Sequence, residues 1–398
     1  MKNEPINTQI SEFIKVIQSC HINILIGSGA SMPFLSTLDN IENNISFVEE
    51  HRGNLSKNTD LIKCSIYNEY LIKCIFGNLF FLLDNVDAYI QKCEEAHKGI
   101  ADKFIEVRDN YNTFISNLMK IISARDIQLL SKQINIFTTN VDVFIDNSLE
   151  KLKYSYNDGF SGKKEIVFNT TNFNNIPYKI SSYYEFKSEQ PHINLFKIHG
   201  SVNWEKGHDI SLSEYSINAD YNLNNLNAIY KFYKDNEAKF IDYISINQAC
   251  KVSDIKKLNE LIGDLSITDE FQKLYDKIVM INPTKQKFRD TTTNVHYYEM
   301  LRIYSNHLER PNSVLFILGF SFADEHIYKI TQRVAKSNPS LLIYILSAKQ
   351  EVRSFKNKFI GYPNVKVLPS INEYYTLKDF NEQLHNVIEE LPKSNNNG

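Results

Sequence analysis

Residues 22–31 read Ile22-Asn23-Ile24-Leu25-Ile26-Gly27-Ser28-Gly29-Ala30-Ser31. The apolar, largely β-branched run over 22–26 predicts a short strand buried on both faces. Gly27 and Gly29 then end the strand in a tight turn, with room for a helix to follow. Ahead of the strand, Ile10, Phe13, Ile14 and Ile17 recur at helical spacing, which predicts an amphipathic helix over 5–20. The chain therefore opens as helix, strand and glycine turn, the first half of an α/β unit.

The same grammar returns later. Ile134-Asn135-Ile136-Phe137 predicts a strand that ends in Thr138-Thr139-Asn140, and Leu195-Phe196-Lys197-Ile198 one that ends in His199-Gly200-Ser201. Further strands are predicted at Ile278–Ile281, Val314–Leu318, Leu341–Leu346 and Val365–Leu368, with helical patterns over 325–336 and 349–359. Strands alternating with helices pair in parallel. The expected fold class is α/β, a Rossmann-like doubly wound and mainly parallel sheet.

Two stretches interrupt it. From 41 to 128 glycine and proline nearly vanish, and Ile100, Phe104, Val107, Tyr111, Phe114, Leu118 and Ile122 recur at steps of three and four. This predicts one long helix over 86–124 inside a large helical insertion. Residues 205–272, rich in tyrosine and asparagine, read as a second, smaller insertion. The core domain is then discontinuous, formed by 1–40, 129–204 and 273–392, with a disordered tail over 393–398.

Composition narrows the function. A chain of 398 residues, 42% hydrophobic and 23% charged, has enough apolar matter for a large core. Its 44 Lys+Arg against 47 Asp+Glu leave a net charge of −3, so direct nucleic-acid binding is not expected. The N-terminal residues lack the apolar segment of a secretion signal. The longest apolar run, Cys74 to Leu83, is far shorter than the ~20 residues that span a bilayer. A cytoplasmic protein without membrane contact is expected. The 5 cysteines, Cys20, Cys64, Cys74, Cys93 and Cys250, form no C-x-x-C pair, so neither a zinc ribbon nor a disulfide framework is expected.

Four polar motifs fall at predicted strand ends, where open parallel sheets bind ligands. Gly27-Ser28-Gly29-Ala30-Ser31 offers close backbone approach and helix N–H groups to a phosphate, or simply a tight turn. The third fingerprint glycine is missing, with Pro33 coming next, which argues against a hydride-transfer dehydrogenase. Thr139-Asn140-Val141-Asp142 places three hydrogen-bonding side chains past a strand, either facing a ligand or capping the next helix. His199, beside Gly200, is the best acid/base candidate among 10 histidines, with a structural histidine as the alternative. In Gly319-Phe320-Ser321-Phe322-Ala323-Asp324, Ser321 suits a phosphate or ribose oxygen, and Asp324 either a ligand or the cap of the helix near Glu325.

In this order the four motifs resemble the sirtuin superfamily. Gly27–Ser31 matches the family's G-A-G-x-S loop with one substitution, and Thr139–Asp142 its T-Q-N-x-D segment with Thr139 in the glutamine's place. Lys197-Ile198-His199-Gly200 matches the strand carrying the family histidine. Gly319–Ile327 and Tyr156-Asn157-Asp158-Gly159-Phe160 look like the bacterial sirtuin-like branch. The resemblance covers about 22–40, 131–204 and 275–370. It implies NAD as the substrate, cleaved at the nicotinamide–ribose bond without a metal. Asn140 would hold the ribose and position the attacking water, His199 would act as general base or ribose contact, and Asp142 would line the nicotinamide side. Gly27, Ser28, Gly29, Ala30, Ser31, Pro33, Thr139, Gly319, Ser321 and Asp324 would hold the rest of the dinucleotide.

The departures shift the expected reaction. Protein-deacylating sirtuins carry a zinc domain with two cysteine pairs and an arginine after the glycine loop. Here the pairs are absent, and Met32-Pro33-Phe34-Leu35-Ser36 has no arginine. The resemblance therefore points to an NAD hydrolase that depletes NAD in bacterial anti-phage defence. A homo-oligomer and a HerA-type ATPase are the expected partners, with the 41–128 insertion as assembly surface or as lid. The alternatives are a catalytically silent module that binds NAD or ADP-ribose, and a protein deacylase or ADP-ribosyltransferase.

Overall fold

A computed structural model describes residues 4–55, 59–83, 95–125, 130–183, 186–207, 216–284 and 294–391. The expected tail at 393–398, and 86–94 of the expected long helix, lie outside the described residues.

Seven strands form the central sheet: β1 (His21–Ile26), β2 (Gln133–Thr138), β3 (Tyr156–Asn157), β4 (His192–Lys197), β5 (Ser313–Leu318), β6 (Leu342–Ser347) and β7 (Val365–Pro369). Their order is β7-β6-β5-β1-β2-β4-β3, with every neighbouring pair parallel. The chain runs outward from β1 on one side, then returns to β5 on the other. The topological switch point therefore flanks β1, and the turns after β1, β2 and β5 meet at one edge. This is the predicted Rossmann-like α/β sheet.

Successive side chains of a strand point to opposite faces, and each face has its own core. Ile24, Ile26, Ile134 and Ile136 pack with Phe13, Phe104, Phe114, Phe144 and Phe380, on the helices Glu4–Ser19, Glu95–Ser123, Phe144–Leu152 and Leu377–Glu390. Leu25, Phe137, Phe196 and Ile317 pack with Leu301, Tyr304, Val334 and Phe355, on Val295–Glu309, Glu325–Ser337 and Val352–Lys358. The long helix, read from its periodicity, is thus one layer of the central sheet. The helices Ile41–Glu50 and Thr59–Tyr70 instead share an apolar cluster with Asn224–Asn236, Tyr243–Ala249 and Thr268–Tyr275.

Two expectations are corrected. The strand Ile278–Met280 does not continue the parallel series; it pairs antiparallel with Gly200–Lys206 at the edge of a second, five-stranded sheet. Three apolar residues cannot specify their partner. The turn after β1 leads into a four-residue 3-10 turn, Ser28–Ser31, not an α-helix, and the next α-helix begins at Ile41. Pro33, after a cis bond from Met32, stands where a helix would otherwise run on.

Among the described residues no helix is long and apolar enough to cross a membrane, and no group of three or more His, Cys, Asp or Glu is placed to hold a metal ion. Cys20, Cys64, Cys74 and Cys250 are free thiols.

Candidate active site

The turns after β1 and β5 touch backbone to backbone. Gly29 N donates to Gly319 O at 3.0 Å, and Gly27 N to Leu318 O at 2.9 Å. A Cβ on Gly27 would lie 2.4 Å from Gly319 O, and one on Gly319, whose φ is +64°, 2.4 Å from Ala30 N. These glycines let two loops interlock. Gly319 and Phe320 stand where a side chain on Gly27 would lie, and Gly319 where one on Gly29 would.

Ser31, at the end of the 3-10 turn, gathers the next motif around it. Its hydroxyl donates to Asp142 Oδ2 at 2.7 Å and accepts from Asn140 Nδ2 at 3.3 Å. Tyr111 Oη lies 3.0 Å away; since the Ser31 proton is given to Asp142, Tyr111 donates. All four side chains are buried. Asn140 Oδ1 is the exception in the bonding, a buried acceptor with no partner. Burial pushes the Asp142 carboxyl above its ordinary pKa, opposed by the Lys197 charge and by hydrogen bonds from Ser31 and Phe144 N. Burial, aided by the Asp142 charge, likewise pushes the Tyr111 phenol well up.

Lys197 holds this loop in place. Only 3% exposed, its ammonium pairs with Asp146 at 2.7 Å and donates to Asp142 O at 2.6 Å and Ser201 Oγ at 2.7 Å. A buried ammonium is tolerated only with such a complement. Backbone bonds complete the clamp: Ile198 N to Thr138 O, and Val202 N to Val141 O, both at 2.9 Å.

His199 occupies the turn between β4 and Gly200–Lys206. Gly200 at φ +77° makes that turn possible, with Val279 O standing 2.3 Å from where a Cβ would be. The buried His199 ring lies 5.9 Å, between centroids, from His326 on the helix that follows Asp324. The four motifs thus form one continuous belt along the carboxyl edge of the sheet.

Not every predicted residue joins the buried cluster. Ser28, Pro33 and Ser321 are exposed, and Thr139 is half-buried. Ala30 and Pro33 line a cavity of about 300 Å³ with Glu106, Asn110 and Asp379 among its other walls. Asp324 stands at the N-cap position of Glu325–Ser337 but makes no side-chain cap bond, so the capping alternative is not realised.

Tyr111 and Lys197 were not singled out from sequence as site residues. Tyr111 lies within the apolar stripe of the long helix, where its spacing reads as core. Lys197, a lysine within an otherwise apolar strand, carried a readable signal: a buried charge demands partners.

The fold and the belt define an α/β protein whose polar loops gather at a topological switch point. Residues 224–368 match the family model described as SIR2-like domain, which supports a place in the sirtuin-like superfamily and suggests an NAD-related function. The matched stretch includes Gly319, Ser321 and Asp324, and lies C-terminal to Ser31, Asn140 and His199. No curated protein matches the chain.

Proposed function

We propose that the protein is an NAD hydrolase that splits the nicotinamide–ribose bond to give nicotinamide and ADP-ribose. The observation that carries this reading is Asn140. Its amide nitrogen is committed to Ser31 while its buried Oδ1 has no partner. An orphaned buried acceptor costs about 1–3 kcal/mol, so it is retained where something else fills it. A ribose hydroxyl or the attacking water would fill it, with its proton toward Oδ1. Ser31, Tyr111 and Asp142 would fix the amide's orientation, and His199 would take up the proton that the water loses. Preorganised dipoles of this kind stabilise the positive charge that develops on the ribose as nicotinamide leaves.

The reading extends to biology as a proposal: an effector of anti-phage defence, held inactive in an oligomer or by a HerA-type ATPase. Burial of Asn140, Asp142 and His199 accords with an enzyme that must open to act. The same burial favours a second reading, a module that binds NAD or ADP-ribose without turnover.

Incubation of the purified chain with NAD, alone and with the ATPase, separates the two. Nicotinamide release under any of these conditions supports the hydrolase. Saturable NAD binding without release under all of them supports the silent module.

A further inference from the structure

A cavity of about 480 Å³ runs along the free edge of β3. None of its lining residues is among the predicted NAD-site residues. His192, 1% exposed, forms part of its wall, and His192 Nδ1 has no partner.

The state of that nitrogen is dictated from the middle of the sheet. Asn23, Asn135 and Asn194 share one register position across β1, β2 and β4. Asn23 Nδ2 donates to the carbonyls of His21 and Val314, which can only accept. Asn23 Oδ1 therefore accepts from Asn135 Nδ2 at 2.9 Å, and Asn135 Oδ1 from Asn194 Nδ2 at 2.9 Å. Asn194 Oδ1 is left facing His192 Nε2 at 2.9 Å, so Nε2 carries the proton. Burial lowers the His192 pKa and keeps the ring neutral. Nδ1 is then a bare acceptor.

Other groups of the lining add acceptors. Tyr156 gives its proton to Glu150, leaving lone pairs on its oxygen. The Asn157 and Asn172 amides donate inward, to Asn172 O and to Gly159 O and Ser161 Oγ. Asp158 accepts from Phe160 N, and among the described residues no Lys or Arg lines the cavity. Burial, reinforced by the Asp146 charge, pushes the Asp158 carboxyl up to about 6; Lys197, whose charge opposes this, is paired with Asp146. The Asp158 carboxylate and the acceptor oxygen of Tyr156 favour a cationic, donor-rich ligand over an anion. The rings of Tyr156, Phe160 and Tyr221 add faces that attract cations.

We propose that this cavity is a binding site for an organic cation with several N–H donors, a guanidinium or primary ammonium, held by Asp158 and the Tyr156 oxygen, with the neutral His192 ring in its wall. The test is calorimetric titration of the full chain with agmatine, putrescine and ribose. Saturable heat with a Kd below ~1 mM is expected for at least one of the two cations and not for ribose, and which cation binds tighter separates guanidinium from ammonium. Asp158→Asn keeps the Phe160 contact and removes the charge, and should weaken binding about tenfold or more. Tyr221→Leu, at a half-exposed position, gives a second reading of the same site and should weaken binding about threefold. No heat with either cation, ribose binding in their place, or cation binding unchanged in both variants overturns the proposal.

Discussion

Ser31 Oγ donates to Asp142 Oδ2 across 2.7 Å, joining the turn after β1 to the loop after β2, 111 residues further along the chain. One hydroxyl therefore links two strand ends and, through Tyr111, the long helix packed on the sheet. The buried acid depends on it, because the Ser31 bond is one of the few interactions that favour its charged form.

Ser31→Ala removes the donor to Asp142 and the acceptor of Asn140 together. Unfolding in urea should show a loss of about 1–3 kcal/mol, the cost of unsatisfied buried polar groups. The Asp142 pKa should rise further, and turnover of NAD should fall with it.

Glycine substitutions should divide by what a Cβ would meet. Gly319→Ala drives a methyl into the Ala30 backbone at positive φ, and should cost more than about 1 kcal/mol. Gly99→Ala, in the long helix with nothing within 4 Å, should instead stabilise by roughly 0.5–1 kcal/mol. Thermal melting of the two variants reads the contrast directly.

Acid should weaken the fold through His307. Burial, aided by the charges of Arg310 and His21, lowers its pKa from 6.5 to about 4. Its Nδ1 accepts from Asn135 at 3.1 Å, and the rings of Phe137 and Phe196 pack against it. The unfolded chain then binds a proton more readily than the folded one. This contribution to stability is complete above pH 6.5 and is lost as pH falls toward about 4. His307→Gln keeps an acceptor and cannot titrate, so its stability should vary less with pH over that window. Equal slopes for the two proteins would contradict the assignment.

Much of this was legible in the sequence. The β-branched runs around Ile24, Ile136 and Ile317 marked strands, and their alternation with helices gave the parallel sheet. Ser31, Asn140 and Asp142 belong to separate sequence motifs and meet in one cluster. What stayed hidden depended on partners. Tyr156–Asn157 is too short to show a period, yet forms the sheet edge. Each asparagine of the Asn23–Asn135–Asn194 ladder looks like a local blemish in an apolar strand. Only the shared register turns them into a connected network that fixes a histidine tautomer.

The most direct test of the central claim is nicotinamide release from NAD by the intact chain, compared with Asn140→Ala under the same activating conditions. Loss of the one free acceptor in the cluster should cut turnover by about 100-fold while folding is retained. Release at the parent rate by Asn140→Ala would show that this cluster is not where NAD is cleaved.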